Sequence, residues 1–144
     1  MHTLTSSLRA TTFLCATALT MSAFTTQAHA VTLTILAGET VTLDGTSNGV
    51  SIIDGDSTIA AGGTLISNDA RNTRQTGDLL NEGSIEMQGR RYFIVPDSTL
   101  TTGATLTNKG LITIDEGTDF EAVQGVLDNT EDGTIINNGR TIAN

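Results

Sequence analysis

An all-β fold, a short parallel β-solenoid (β-helix) of about four or five coils behind a cleaved leader, is what this sequence predicts. Three observations point there. The stretch "LTNKGLITIDEG" (Leu106 to Gly117) restates, 27 positions on, the pattern Leu-x-Asn-x-Gly-x-Ile of "LLNEGSIEMQG" (Leu79 to Gly89). A second motif, Thr-(Ile/Leu)-x-(Ala/Thr)-Gly-x-Thr-(Val/Leu), occurs at Thr34 to Val41, Thr58 to Leu65 and Thr99 to Leu106, with a looser copy at Thr113 to Phe120. The chain beyond residue 30 is also rich in Thr, Ile, Val, Asn and Gly, holding all 15 glycines and the single proline, Pro96, a mixture of strand and turn formers.

Residues 1–30 read as a secretory signal peptide. Arg9 supplies the positive n-region, Ala10 to Phe24 an apolar stretch, and Ala28-His29-Ala30 the small-x-small pattern of a cleavage site near Ala30. Lipidation at Cys15 is disfavoured, because bulky Leu14 precedes it and position 12 is Thr. The mature domain, 31–144, is therefore expected at the cell surface or secreted. Removal of the leader takes both histidines (His2, His29), the one cysteine and Arg9. Six positive residues then face 16 carboxylates, a balance that disfavours nucleic acid and anionic membrane as partners. Without His or Cys, no Ser-His-Asp or Cys-His nucleophilic site, no His or Cys metal site and no disulfide is available. No second apolar run approaches 20 residues, so no membrane span is expected.

The strands are read as three to five residues long, separated by Gly turns and Asn-x-Gly turns. In Leu111-Ile112-Thr113-Ile114 the alternation sends Ile112 and Ile114 inward. Strands this short bury nothing alone, and stacking of successive coils supplies the core. The turns assigned to coil corners are Asn81 and Gly83, Asn108 and Gly110, and Asn137 and Gly139. Each glycine is expected at positive φ, and the stacked Asn amides are expected to form a hydrogen-bonded ladder. Unrelated hairpin turns in a β-sandwich are the competing interpretation.

The run "TLTNKGLITIDEGTDFEAVQGVLDNTEDGTIINNGRTIAN" resembles the repeats of bacterial secreted β-helix proteins, the filamentous-haemagglutinin-type adhesins and autotransporter passengers. The resemblance extends over about Thr34 to Asn144 and implies a secreted β-helix that serves attachment. The chain is far shorter than those families, and no β-barrel or sorting signal is seen after Asn144.

Two stretches interrupt the period. Asn68 to Asp78 and Gln88 to Asp97 carry Arg71, Arg74, Arg90, Arg91 and Tyr92, read as candidate partner-binding loops of the kind solenoid insertions form. The alternative is solvated loops with Tyr92 and Phe93 plugging the core. Asp115, Glu116, Asp119, Glu121, Asp128, Glu131 and Asp132 form an acidic run. The Gly-Gly-x-Gly-x-Asp and EF-hand spacings are missing, so a solvated face is favoured over a calcium site. Asp54 and Asp56 are read as turn residues rather than a hydrolytic pair. Thr-x-Thr triplets at Thr32, Thr40, Thr99 and Thr105 are too irregularly spaced, 24, 41 and 14 residues between motif copies, for a flat ice-binding lattice.

The expected function is a structural or adhesive surface component, with no catalytic, cofactor or metal residue. Expected partners are the chain itself head to tail, a longer β-helical surface protein, or a surface polysaccharide. End-to-end contact is expected because "VTLTIL" and "TIINNGRTIAN" carry the strand pattern to both ends without a polar cap. The alternatives are a polysaccharide-binding or polysaccharide-degrading β-helix and a calcium-dependent binding module.

Overall fold

The computed structural model describes residues 29–44, 51–69, 72–95 and 103–143. Sixteen short strands follow one another with no helix among the described residues. The first triplet is β1 (His29–Val31), β2 (Thr34–Ile35) and β3 (Thr40–Leu43); the second is β4 (Ser51–Ile53), β5 (Ser57–Ile59) and β6 (Thr64–Ser67). The third is β7 (Thr73–Gln75), β8 (Leu79–Asn81) and β9 (Ser84–Met87); the fourth is β10 (Arg91–Ile94), β11 (Thr105–Asn108) and β12 (Leu111–Ile114). A fifth, β13 (Asp119–Ala122), β14 (Val126–Asn129) and β15 (Thr134–Asn137), is followed by β16 (Arg140–Ala143).

Every third strand belongs to the same sheet. Sheet A runs β1-β4-β7-β10-β13-β16, sheet B runs β2-β5-β8-β11-β14, and sheet C runs β3-β6-β9-β12-β15. All pairings are parallel, as β6 on β9 and β9 on β12 illustrate. A hairpin sandwich would pair consecutive strands antiparallel, so the molecule is a parallel β-solenoid, within the four or five coils expected.

The core is built from aligned rows. On sheet C, Val41, Leu65, Ile85, Ile112 and Ile135 stand in one register, with Ile112 and Ile114 both inward as their alternation required. On sheet A the inward row passes through Thr73, Tyr92 and Phe120, and the two rings lie 6.0 Å apart. Leu33 to Phe120 form one apolar cluster, against which Leu127 and Ile135 of the fifth triplet pack only partly buried.

The Asn ladder stands inside the corner between sheets B and C. Asn81 Nδ2 donates to Asn108 Oδ1 at 2.7 Å, and Asn108 Nδ2 donates to Asn129 Oδ1, also at 2.7 Å. The third rung is thus Asn129, not Asn137. Asn137 lies one corner further along the chain, between sheets C and A, where it bonds Thr141 and the Gly139 N–H. The ladder also donates to strand carbonyls of the next coil, those of Leu111 and Thr134. At its other end Asn81 faces Ile59, which offers no donor, and Asn81 Oδ1 is buried without a partner.

The role expected of the corner glycines is corrected. Positive φ occurs at Gly38, Gly55, Gly62 and Gly117, and not at Gly83, Gly110 or Gly139. Those three are glycine because coils touch there. A methyl on Gly110 would be driven into the Gly83 carbonyl oxygen, which accepts the Leu111 N–H at 2.9 Å. Gly83 meets Gly63 and Ala60 carbonyls in the same way, and Gly139 meets those of Thr118 and Asp115.

The second motif is also redistributed. Its first two copies do stack, Thr34 on Thr58 and Val41 on Leu65. In the third copy Thr105 and Leu106 lie on sheet B, opposite Val126 and Leu127, and Thr99 to Thr102 of the motif fall outside the described residues. The fourth copy bridges sheet C to sheet A instead. Coil length explains the slippage, since Asn81 to Asn108 takes 27 residues and Asn108 to Asn129 takes 21.

Candidate functional site

The residues proposed as binding loops lie mostly within the strand ladder. Arg74 is the middle residue of β7, and Arg91 and Tyr92 open β10. Alternation hid β7, because its inward residues are the polar Thr73 and Gln75 and no apolar period marks the strand. Their polarity is satisfied internally: Ser67 Oγ and Thr73 Oγ1 share a hydrogen bond of 2.7 Å, and Gln75 Nε2 donates to the Gly77 and Thr105 carbonyls. Arg71 lies outside the described residues.

Tyr92 is not presented to a partner. It is fully buried, its hydroxyl donates to Gln75 Oε1 at 3.1 Å, and burial pushes its phenol well above the usual range. With Tyr92 and Ile94 inward, β10 must turn Arg91 and Phe93 outward. Their outward neighbours follow from the register. Ile52, Arg74, Phe93, Glu121 and Ile142 make one column across sheet A. Arg91, Asp119 and Arg140 make a second.

The second column is an ion triplet. Arg140 grips Asp119 with both ends of its fork, Nε to Oδ1 and a terminal nitrogen to Oδ2, each at 3.0 Å. Arg91 Nε is 3.4 Å from Asp119 Oδ2 but is not aligned for a hydrogen bond, so Arg140 dominates. Hydrogen bonding from Arg140, then the charges of both arginines, holds the Asp119 carboxyl below its ordinary range. The Arg140 guanidinium is correspondingly raised, chiefly by Asp119. The Arg91 guanidinium also sits 5.9 Å from the centre of the Phe93 ring, within reach of a cation–π contact. Arg74 and Arg90 are exposed, and Arg74 makes no ion pair among the described residues. Sheet A therefore presents a face of planar cations, an aromatic ring and carboxylates. Asp119, Arg140 and Phe93 were not singled out together in the sequence, although the phase of Tyr92 would have placed Phe93 beside Arg91.

Of the two carboxylates considered for chemistry, Asp54 has structural employment. Asp54 Oδ1 accepts from the Gly55 N–H at 2.8 Å and from the Thr76 hydroxyl at 3.3 Å. Asp56 and Asp78 line an open depression of about 320 Å³ with Thr58, Leu80 and Thr107, but Asp78 is committed to the Thr105 N–H at 2.8 Å. The acidic run is divided: Asp115 and Glu116 sit at the corner from sheet C to A, Asp119 and Glu121 on sheet A, Asp128 on sheet B, and Glu131 and Asp132 at the corner from B to C. Among the described residues no three carboxylates converge in a geometry that would hold a metal ion, and no helix is long and apolar enough to cross a membrane. Compared with known proteins, the chain matches no protein-family model, no curated protein and no solved structure.

Proposed function

We propose that the protein is an exported structural or adhesive surface component, a β-helical segment that serves attachment or matrix assembly by joining end to end. The observation that carries this reading is that the core is left partly covered at both ends of the stack. Val31, Val41 and Leu43 of the first triplet and Leu127 and Ile135 of the last pack against the buried cluster only partly buried. An apolar cross-section left open at both ends favours contact there. The strands β14, β15 and β16 are also the outermost of their sheets among the described residues, so each carries an unpaired ladder edge. A contact between unlike ends does not close on itself and propagates as a fibre.

The outward face of sheet A supports the attachment half of the reading. Exposed guanidinium groups beside an aromatic ring suit carboxylated or planar sugar surfaces. The test is a concentration series on the exported protein, followed by light scattering and electron microscopy. Growth of mean mass with concentration, with thin unbranched fibres, is the expected result. A monodisperse single chain at every concentration would overturn the assembly reading.

A further inference from the structure

The first strand lies across the expected processing site. β1 spans His29–Val31, while the Ala28-His29-Ala30 pattern places the cut after Ala30, so cleavage removes two of its three residues. In the structure His29 stands opposite Ser51, Ala30 opposite Ile52 and Val31 opposite Ile53 of β4. The bonds that hold the remaining chain are untouched by the cut. The Asp54 N–H donates to the Val31 carbonyl at 3.0 Å, the Thr32 hydroxyl to the Asp54 carbonyl at 3.0 Å, and the Leu33 N–H to Ser57 Oγ at 3.0 Å. What is lost is the cover over Ser51 and Ile52. The Ser51 N–H points the other way, to the Asn72 carbonyl, and Asp54 points toward Val31. Parallel-strand alternation aims both backbone groups of Ile52 at this edge: the cut takes away the His29 carbonyl that faces the Ile52 N–H, while the Val31 nitrogen that faces the Ile52 carbonyl stays.

Strand arithmetic gives that edge a partner. With β1 present, sheet A has six strands and sheets B and C have five. Without it each sheet has five, and β2 to β16 form five complete triplets. A second copy stacked end-on without rotation then sets its β2, β3 and β4 against β14, β15 and β16, one step away on every sheet. With β1 in place, the same stacking would put β1 and β16 on a single rung. We infer that β1 is a removable cap: cleavage before Val31 vacates the places opposite Ser51 and Ile52 on the edge of β4, Thr141 and Ile142 of β16 from a second copy take them, and Val31 keeps its own place opposite Ile53, so that assembly waits for export. This rests on the end-to-end reading above and specifies its interface. The phase of β16 agrees. The Arg140 N–H donates back to the Thr118 carbonyl at 2.9 Å, so the Thr141 backbone faces away from β13, as the His29 position faces β4.

The test uses the full chain, expressed and exported, with the product's first residue read by N-terminal sequencing. One comparison is the double variant Thr26→Ala with Ala30→Gln, which moves the small-x-small pattern two residues upstream, to positions 26–28, so that the product begins at His29. The other is Thr141→Pro, which deletes an outward N–H on an edge strand without touching the ladder to β13. Wild type is expected to begin at Val31 and to form fibres. Both variants are expected to need at least about tenfold higher concentration, with unchanged circular dichroism. A wild-type product that retains β1 would overturn the cap. A His29-starting product that assembles like wild type would also overturn it, while leaving end-to-end assembly intact. Equal assembly of Thr141→Pro would remove β16 as the occupant, and a strictly monomeric Val31-starting product would overturn both readings.

Discussion

Asn108 carries the load of two coils through one amide. It accepts from Asn81 and donates to Asn129 and to the Thr134 carbonyl. Asn108→Ala should destabilise by about 2 to 3 kcal/mol, because it strands a buried Asn81 donor and opens a gap, and each orphaned buried polar group costs roughly 1 to 3 kcal/mol. Denaturant titration checks this, and a change under about 0.5 kcal/mol would show the ladder to be incidental. The glycines separate two physical causes. Gly117 has φ +84° and open space for 4 Å around the position a methyl would take, so Gly117→Ala should cost only the left-handed backbone, roughly 1 to 2 kcal/mol. Gly110 lacks positive φ but faces the Gly83 carbonyl, and Gly110→Ala should cost about 3 kcal/mol through overpacking against backbone. The reverse order of the two melting temperatures would refute that assignment.

Sheet A carries its charge on the outside of β10, β13 and β16, and this makes one strand contact pH-dependent. Asp119 is held below its ordinary range by Arg140 and Arg91. A carboxyl depressed by folding stabilises above its unfolded value and loses that contribution as pH falls through the lower, folded value. Asp119→Asn should therefore lower the melting temperature at neutral pH, with the gap to wild type closing as pH falls through the lowered, folded value of Asp119. A gap that persists unchanged into stronger acid would mean that Asp119 acts through packing rather than charge. Since β16 joins the molecule through β13 alone among the described strands, the effect should be read locally, in the protection of the β16 amides.

The whole molecule is close to one-dimensional, with each coil contacting the next, so stability falls toward its less covered ends. The rows are fully buried from β5 through β12, whereas Val31, Val41 and Leu43 in the first triplet and Leu127 and Ile135 in the fifth are only partly covered. Hydrogen exchange at amides of β14 and β15 should run at least about tenfold faster than in β8, β9, β11 and β12. Uniform protection along the solenoid would argue for a single cooperative unit instead. Assembly, if it follows the interface between β16 and β4, should abolish the difference by covering the fifth triplet.

Much of this was legible in the residues themselves. Alternation within strands of three or four residues, repeated Leu-x-Asn-x-Gly-x-Ile units and the lack of a second cysteine to pair with Cys15 required stacked coils with a shared core, and the Asn amides at Asn81 and Asn108 announced a ladder. Both follow from short-range rules, the two-residue period of a strand and the hydrogen-bonding needs of an amide. The phase of β7 was illegible, because Thr73 and Gln75 are polar residues buried by bonds to distant partners. Which corner each motif occupies was likewise undecided, since Gly and Asn turns suit any corner and unequal coils of 27 and 21 residues shift the stacking. Only the tertiary structure set Asn129 as the third rung, turned Arg91 and Phe93 out by burying Tyr92, and gathered Arg91, Asp119 and Arg140 on one face. Each of those depends on which coil lies above which, and that register is decided by the close approach of backbones at Gly83 and Gly110, a property of the stack that no single repeat contains.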